Sequence, residues 1–202
     1  MLDAGTPLLL GTRNPGKIHE IKLILGDLDL QFCSLNDFSD VAVAEENFDT
    51  YAENAIAKAR FYAHATGVQA LADDSGLEVE ALGGAPGVLS ARYAGDHATD
   101  ADRRSLLLSE LAKTGTDNRR ARFVCAIAIA SPDGSLLNLS EGICSGTMTL
   151  AARGSSGFGY DPLFVPDGYD ETFAELSDEV KNQISHRARA LIKLRTFLRS
   201  AP

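Results

Sequence analysis

The stretch Leu71–Gly95 constrains this chain most, because it joins two adjacent carboxylates to a dense cluster of glycine and proline. The apolar run Val68–Ala72 is typical of a buried strand, and Asp73 and Asp74 follow it directly. A strand that ends there would place polar side chains at the carboxyl edge of a sheet, where α/β folds usually bind ligands. Successive strand residues face opposite sides, so one carboxylate is expected to act on a ligand and the other to support it.

The same stretch also fits a simpler interpretation, a loop in which both aspartates cap a turn. Two glycines, a proline and a third glycine follow within residues 83–87. Glycine lets the backbone approach another group closely, so this cluster favours a functional loop over a plain turn.

The overall composition is that of an ordinary globular protein. The chain has 202 residues, of which 45% are hydrophobic and 23% charged, enough for one domain with a buried core. Its net charge of −9 predicts repulsion from nucleic acids and anionic membranes, so neither is expected as a partner. A small anion held by a few lysines and arginines is compatible with that charge.

Cysteine usage and the absence of long apolar runs indicate the compartment. The three cysteines, Cys33, Cys125 and Cys144, are widely spaced and predict neither a disulfide framework nor a zinc site. The first twelve residues, MLDAGTPLLLGT, do not have the pattern of a signal peptide. No segment approaches the about 18 apolar residues of a membrane span. We therefore expect a cytoplasmic protein.

A strand–loop–helix pattern opens the chain. The run 7–10 predicts a short strand, and Pro15 suits the first turn of a helix that ends at Gly26. This arrangement often binds a phosphate group at the helix amino terminus. The spacing of Gly11, Gly16 and Lys17 approaches a P-loop, but Ile18 stands where that motif needs a hydroxyl. The alternative is a capped helix with a surface lysine.

The remaining segments predict further helices, a hairpin and an aromatic loop. A capping box at Thr50 opens a helix that ends at Gly67, and Thr99 opens another. Residues 122–143 predict a hairpin around the turn 131–134, with residues 145–152 as a third strand. The glycine-rich loop 154–164 carries aromatic rings that could stack on a flat base or pack in the core. A last helix begins near Ser185.

Four segments occur in one order along nearly the whole chain: TRNPGK, ADDSGLEVEALGGAPGVLSARYAG, GFGYDPLF and KNQISHRARAL. Together they resemble the inosine triphosphate pyrophosphatase family, which hydrolyses non-standard purine nucleoside triphosphates (ITP, dITP and XTP) to the monophosphate and pyrophosphate. The resemblance implies an α/β fold with a mixed, elongated central sheet, flanking helices and two lobes with a cleft between them. It also implies one domain over residues 1–202, a homodimer and a Mg²⁺ cofactor.

The resemblance also implies roles for individual residues. Asp74 would be the catalytic aspartate and, with Glu45, a magnesium ligand. The triphosphate would be held by the first loop, and the base and remaining phosphate contacts by later segments. These substrate-binding residues are Thr12, Arg13, Asn14, Pro15, Gly16, Lys17, Ser75, Phe158, Gly159, Tyr160, Asp161, Lys181, His186 and Arg187.

One position departs from the family pattern. Relatives usually carry glycine where this chain has Phe48, in the segment FDTYAEN. The path of the loop before it is therefore open, and with it the choice between Glu45 and Glu46 as the metal ligand.

The chemistry of the reaction calls for these residue types. Magnesium binds a few carboxylates together with phosphate oxygens and waters, which Glu45 and Asp74 can complete. Asp74 can also orient the attacking water, while Lys17 and Lys181 supply point charges for phosphate. Donors from His186 and Arg187 suit the 6-oxygen of hypoxanthine or xanthine. Two alternatives remain, a related pyrophosphatase acting on pyrimidine or modified nucleotides and a non-catalytic nucleotide sensor.

Overall fold

The computed structural model describes residues 7–38 and 40–200 and has the mixed α/β architecture expected from the sequence. Residues 1–6, the first half of the segment considered above for a signal peptide, lie outside the described residues. In chain order the elements are β1 (Leu8–Leu10), α1 (Pro15–Leu25), β2 (Phe32–Ser34), α2 (Tyr51–Thr66), β3 (Ala70–Val79), α3 (Asp100–Lys113), β4 (Arg120–Ala130), β5 (Leu136–Met148), β6 (Phe164–Pro166), α4 (Asp178–Ile184) and α5 (His186–Ser200).

The strands form a six-stranded sheet in the order β2–β1–β3–β4–β5–β6. Strand β1 is parallel to both neighbours, with Leu9 opposite Cys33 on one side and Ala70 on the other. Strand β5 is antiparallel to β6, with Met148 opposite Phe164. The sheet is therefore mixed, as predicted, and helices flank it.

The predicted helix starts are confirmed by their caps. The side chain of Asn14 accepts hydrogen bonds from the first backbone N–H groups of α1, and Thr50 and Thr99 do the same for α2 and α3. Each cap satisfies donors that have no partner within the helix. Helix α2 ends at Gly67, whose φ of +69° is a left-handed conformation that glycine adopts without strain. These local signals were readable from the sequence alone.

The chain divides into two compact units, in line with the two lobes expected. Unit 1 comprises residues 1–74, 125–142 and 187–202, and unit 2 comprises residues 75–124 and 143–186. Each has its own apolar core. The unit 1 core includes Leu8, Leu10, Ile21, Leu25, Leu71, Ile127, Ile129, Leu191 and Leu194. The unit 2 core includes Leu77, Val79, Leu107, Leu111, Phe123, Met148, Tyr160, Leu163, Phe164 and Phe173.

Two strand boundaries differ from the sequence prediction. Strand β3 does not end at the aspartate pair but runs on to Val79, because Leu77 and Val79 continue the run of buried side chains. The predicted third strand over residues 145–152 is also wrong. Strand β5 is one element of 13 residues that ends at Met148, and burial alternates along its second half. Among the described helices, none is long and apolar enough to cross a membrane.

We expect Gly146→Ala to destabilise unit 2, because a β-carbon at this position of β5 would lie 2.2 Å from the carbonyl oxygen of Val165 in β6. Overpacking of this kind costs about 1–3 kcal/mol in the free energy of unfolding. Urea denaturation of the purified variant measures it. Thr147→Ala, an exposed position in the same strand, is the matched control and should stay within about 0.5 kcal/mol of the wild type. Equal stability of the two variants would contradict the prediction.

Candidate functional site

The predicted phosphate segment, residues 12–17, connects β1 to α1. Asn14 Oδ1 accepts hydrogen bonds from the backbone N–H groups of Gly16 (2.9 Å) and Lys17 (3.2 Å). Thr12 Oγ1 accepts from the Asn14 N–H at 3.2 Å. Arg13 is exposed and donates to the carbonyl of Val41. The first N–H groups of the helix are thus satisfied by Asn14, so the positive charge of this segment comes from the side chains of Arg13 and Lys17.

A buried ionic network lies beneath this segment in unit 1. Asp73 Oδ2 is 3.0 Å from Lys17 Nζ and 3.1 Å from Arg187 Nη2. Arg187 Nη1 lies 2.5 Å from Glu20 Oε2. Only 2% of the Arg187 side chain and 1% of the Asp73 side chain is exposed. Arg187, predicted to contact the substrate, is therefore engaged by two carboxylates of its own chain.

Opposing effects act on the ionisation of this network. Burial by itself would raise the pKa of Asp73, but the charges of Lys17, Arg187 and Lys58 together lower it well below its usual range. Burial would likewise lower the pKa of Arg187, and the charges of Asp73 and Glu20 raise it instead. A buried charge costs several kcal/mol unless it is paired. The network therefore holds Asp73 ionised and Arg187 protonated at neutral pH.

Asp74 has a different environment from its neighbour Asp73. Its Oδ1 lies 3.7 Å from Lys58 Nζ, which in turn is 2.5 Å from Glu46 Oε1. Its Oδ2 is buried and has no hydrogen-bond partner among the described residues. Burial, with the negative charges of Glu46 and Asp73 and against the charge of Lys58, raises the pKa of Asp74 to about 6. A carboxylate with a raised pKa suits proton transfer near neutral pH.

The contacts of Glu45 and Glu46 differ, which affects the choice of a second carboxylate for a magnesium site at Asp74. Glu46 shares the Lys58 ammonium with Asp74, whereas Glu45 is exposed and accepts a hydrogen bond from Asn47 at 2.7 Å. Within residues 7–38 and 40–200, no three metal-binding side chains converge. Magnesium needs only one or two protein carboxylates when phosphate and water complete its shell. The partnerless oxygen of Asp74 fits such a site, and Glu46 is linked to Asp74 through the Lys58 ammonium that both carboxylates contact.

In unit 2, a buried ion pair shapes the predicted base-binding loop. Asp161 Oδ2 accepts a hydrogen bond from the Phe158 N–H at 2.9 Å and forms a 2.7 Å ion pair with Lys181 Nζ. The ammonium also lies 5.0 Å from the centre of the Phe158 ring, a cation–π contact. The structure thus brings Phe158, Asp161 and Lys181 together. The observed partner of Lys181 is a carboxylate of its own chain.

Two further predicted residues of unit 2 are buried. Tyr160 belongs to the core, and its hydroxyl donates to the carbonyl of Ser90 at 3.0 Å, so its ring is not presented for stacking. His186 is 5% exposed, and its ring stacks on Phe123 with centroids 4.6 Å apart. Ser75 lies half-buried in β3, next to Asp74.

Lys58, Glu20 and Phe123 were not predicted from the sequence. A signal exists for each, but a weak one. Lys58 is the one lysine in the alanine-rich helix α2 and is buried there. Glu20 stands three positions after Lys17, one turn along α1. Phe123 lies in a β-rich run in which nothing marks it as the partner of a histidine 63 positions later.

Comparison with known proteins identifies relatives over nearly the whole chain. The Ham1 family model matches residues 8–197. A dITP/XTP pyrophosphatase from Desulfotalea psychrophila is 49% identical over 188 residues, which cover 93% of this chain and 83% of that protein. A dITP/XTP pyrophosphatase from Desulforamulus reducens is 48% identical, with 95% and 94% covered. The resemblance inferred from the four sequence segments is confirmed.

Solved structures match the fold as well. A HAM1 protein from Coxiella burnetii has a TM-score of 0.89 and 42% identity, with all of both chains covered. The Ham1 protein of Staphylococcus aureus has a TM-score of 0.84 and 40% identity, with 96% of this chain and 98% of that one covered. At these identities the likeness extends beyond the fold to the family.

We expect Asp73→Asn to lower the free energy of unfolding of the metal-free protein at pH 7 by about 3–5 kcal/mol, because it leaves Lys17 and Arg187 without their shared carboxylate. A carboxyl group whose pKa is lowered by folding stabilises the protein above its ordinary pKa of 3.8, and the effect is lost as pH falls. The difference from wild type should therefore narrow below pH about 4.

Urea titrations at pH 7 and at low pH measure this difference. Asp29→Asn, an exposed aspartate of unit 1, is the control and should behave like the wild type at both values. An Asp73→Asn defect of the same size at both pH values would mean that packing, not charge, accounts for it.

Proposed function

Because the chain belongs to the Ham1 family, we propose that it hydrolyses non-standard purine nucleoside triphosphates to the nucleoside monophosphate and pyrophosphate. Its substrates would be dITP, ITP and XTP, and its role would be to clear them from the nucleotide pool. One observation carries the mechanistic part of the proposal. Asp74 is a buried carboxylate with a raised pKa and an oxygen that has no hydrogen-bond partner among the described residues.

In this mechanism Asp74 activates the attacking water. The Asp74 carboxylate accepts a proton from the water as the water oxygen attacks the α-phosphorus, and the bond between the α-phosphorus and the oxygen that bridges to the β-phosphorus breaks. Pyrophosphate leaves with that electron pair. A base with a pKa near the working pH combines a useful ionised fraction with sufficient basicity. The Lys58 ammonium, 3.7 Å from Oδ1, keeps part of Asp74 ionised and orients it.

We propose that Asp74 and a glutamate of the loop before α2 hold Mg²⁺. The contacts with Lys58 favour Glu46 for this role over Glu45, the residue that the family resemblance suggested. When bound, the ion neutralises phosphate charge and the charge that develops on pyrophosphate. Lys58 supplies positive charge to the same two carboxylates in the absence of metal, which reduces their repulsion.

Lys17 would contact the triphosphate directly. Its side chain is 17% exposed while its ammonium is held by Asp73, which positions Lys17 for contact with a phosphate oxygen. Arg187 is enclosed by Glu20 and Asp73, and these contacts favour a positioning role, in which it holds Asp73 and, through it, Lys17. The remaining residues of the segment 12–17 would shape the loop around the phosphates.

Base recognition would use Phe158 and His186. The Phe158 ring can stack on any purine, so it does not discriminate among them. A donor from His186 could bond the 6-oxygen of hypoxanthine or xanthine, while the 6-amino group of adenine would remain unpaired. A buried unpaired group costs about 1–3 kcal/mol, which corresponds to roughly a 5- to 150-fold preference. Lys181, Tyr160 and Asp161 would hold the loop that carries Phe158.

We also propose a single catalytic domain, a homodimer and a location in the cytoplasm. The uninterrupted family match over residues 8–197 supports one catalytic domain with two lobes, spanning residues 1–202. The family resemblance supports a homodimer. A nucleotide substrate supports a place in the cytoplasm, where nucleotide pools are used.

We expect a nucleotide panel to show pyrophosphate release from ITP, dITP and XTP in the presence of Mg²⁺, about 5- to 150-fold faster than from ATP at limiting substrate. Two separate enzyme-coupled assays, one for pyrophosphate and one for inorganic phosphate, measure the products of the reaction. Single phosphate as the first product would contradict the pyrophosphatase assignment. Preference for a pyrimidine nucleotide would support the related pyrimidine enzymes, and binding without turnover would support a sensor.

The control for that panel is Asp74→Asn. This variant should fold, because the substitution keeps the size of the side chain, and it should show no turnover above background. A near-normal rate would remove Asp74 from the catalytic role.

We expect Glu46→Gln to raise the Mg²⁺ concentration needed for half-maximal activity about tenfold or more, because a charged ligand is lost. Glu45→Gln, one residue earlier and exposed, is the matched control and should change it little. Calorimetric titration of Mg²⁺ into each variant gives a second reading that does not depend on turnover. The reverse order of effects would restore Glu45 as the ligand.

A further inference from the structure

The backbone of the loop that carries Phe158 is held from outside by helix α3. The N–H of Gly159 donates to Asp100 Oδ2 at 2.7 Å, and the carbonyl of Gly159 accepts from Arg104 Nη1 at 2.8 Å. Asp100 and Arg104 are four positions apart on α3, so they lie on the same helix face. All of these residues belong to unit 2. Both polar groups of one residue are therefore held by two charged side chains of one helix.

The same loop is held from inside by Asp161. The Phe158 N–H donates to Asp161 Oδ2, which is fixed by its buried ion pair with Lys181. The next peptide N–H, that of Gly159, is the one that Asp100 accepts. The peptide groups on both sides of the Phe158 α-carbon thus have assigned partners. These bonds fix the direction of the Phe158 Cα–Cβ bond and so limit the rotamers that the ring can adopt.

Asp100 is itself held in place. Arg103 Nη2 lies 2.7 Å from Asp100 Oδ1, and Arg103 Nη1 donates to the carbonyl of Ala91 at 2.6 Å. Burial would raise the pKa of Asp100, but the hydrogen bonds from Arg103 and from the Gly159 N–H lower it. Asp100 therefore stays ionised at neutral pH, and its bond to Gly159 is charge-assisted, which makes it stronger than a neutral one.

We propose that Asp100 and Arg104 are positioning residues that hold the Phe158 ring in the orientation needed to stack on the nucleotide base. This inference rests on the proposed function, since it assumes that Phe158 contacts the base. Neither residue touches the reacting atoms in this scheme. We call the two side chains of Asp100 and Arg104 the clamp. Stacking on the base is the same in the bound substrate and in the transition state, so loss of the clamp should weaken substrate binding without slowing the chemical step.

The test is Arg104→Ala, with kcat and KM measured for ITP by pyrophosphate release. We expect KM to rise about tenfold, the effect of one lost hydrogen bond to a charged group, and kcat to stay within about twofold. Arg104→Lys can still donate to the Gly159 carbonyl and should recover most of the affinity. Lys113→Ala, at the far end of α3 and paired with Glu110 on the exposed surface, is the matched control and should match the wild type.

Hydrogen–deuterium exchange of the peptide 154–164 reads the clamp without any substrate. Arg104→Ala should accelerate exchange there relative to wild type and to Lys113→Ala. Faster exchange with an unchanged KM would overturn the inference and leave the proposed function intact. Unchanged exchange in Arg104→Ala would also overturn the inference. So would a fall in kcat alone together with a lower melting temperature, since a purely structural residue behaves in that way. A wild-type chain that releases no pyrophosphate from ITP would overturn the proposed function and the inference with it.

Discussion

The buried carboxylate of Asp73 is the charge on which the polar interior of unit 1 depends. It faces two cations, the ammonium of Lys17 and the guanidinium of Arg187, and Arg187 in turn engages Glu20. None of these charges could remain buried alone, because an unpaired ion in the interior costs several kcal/mol. Together these ion pairs connect the first turn of α1, strand β3 and the first turn of α5 within the unit. They also hold Lys17 in a position to bind an anion.

The adjacent residue shows how one strand separates two roles. Asp73 and Asp74 point to opposite faces of β3, so the first meets Lys17 and Arg187 while the second meets Lys58. Paired cations lower the pKa of Asp73, whereas burial near other carboxylates raises that of Asp74. Two neighbouring carboxyl groups of the same type thus acquire opposite protonation behaviour. One is suited to permanent charge and the other to proton transfer.

In unit 2, a buried ion pair holds the loop that carries Phe158. The ion pair of Asp161 with Lys181 is buried, and the main chain of Phe158 bonds to the same carboxylate. Gly157 is the residue that allows this, because its φ is +75° and a β-carbon there would lie 2.2 Å from Asp161 Oδ2. The glycine-rich character of the loop therefore serves a close approach between backbone and carboxylate. Flexibility is not required to explain it.

The local features of the fold follow from short-range patterns in the amino-acid sequence. The caps at Asn14, Thr50 and Thr99 and the helix end at Gly67 follow from hydrogen bonds that reach only a few residues along the chain. The opposite directions of Asp73 and Asp74 follow from the period of a strand. The four family segments added the reaction class, because they specify a combination of residues that simple periodicity does not.

The pairing of distant charged side chains, in contrast, depends on tertiary packing. Arg187 and Asp73 are 114 positions apart in the sequence. Lys58 in α2 pairs with Glu46, which lies 12 positions earlier, and with Asp74 in β3. Arg187 and Tyr160 were predicted from the sequence to contact the substrate; their ion pair and their core position could not be predicted from local patterns. Strand β3 was predicted to end at its polar residues, yet the strand continues because its later side chains are buried. Such pairings depend on how distant elements pack, and local patterns carry no record of that packing.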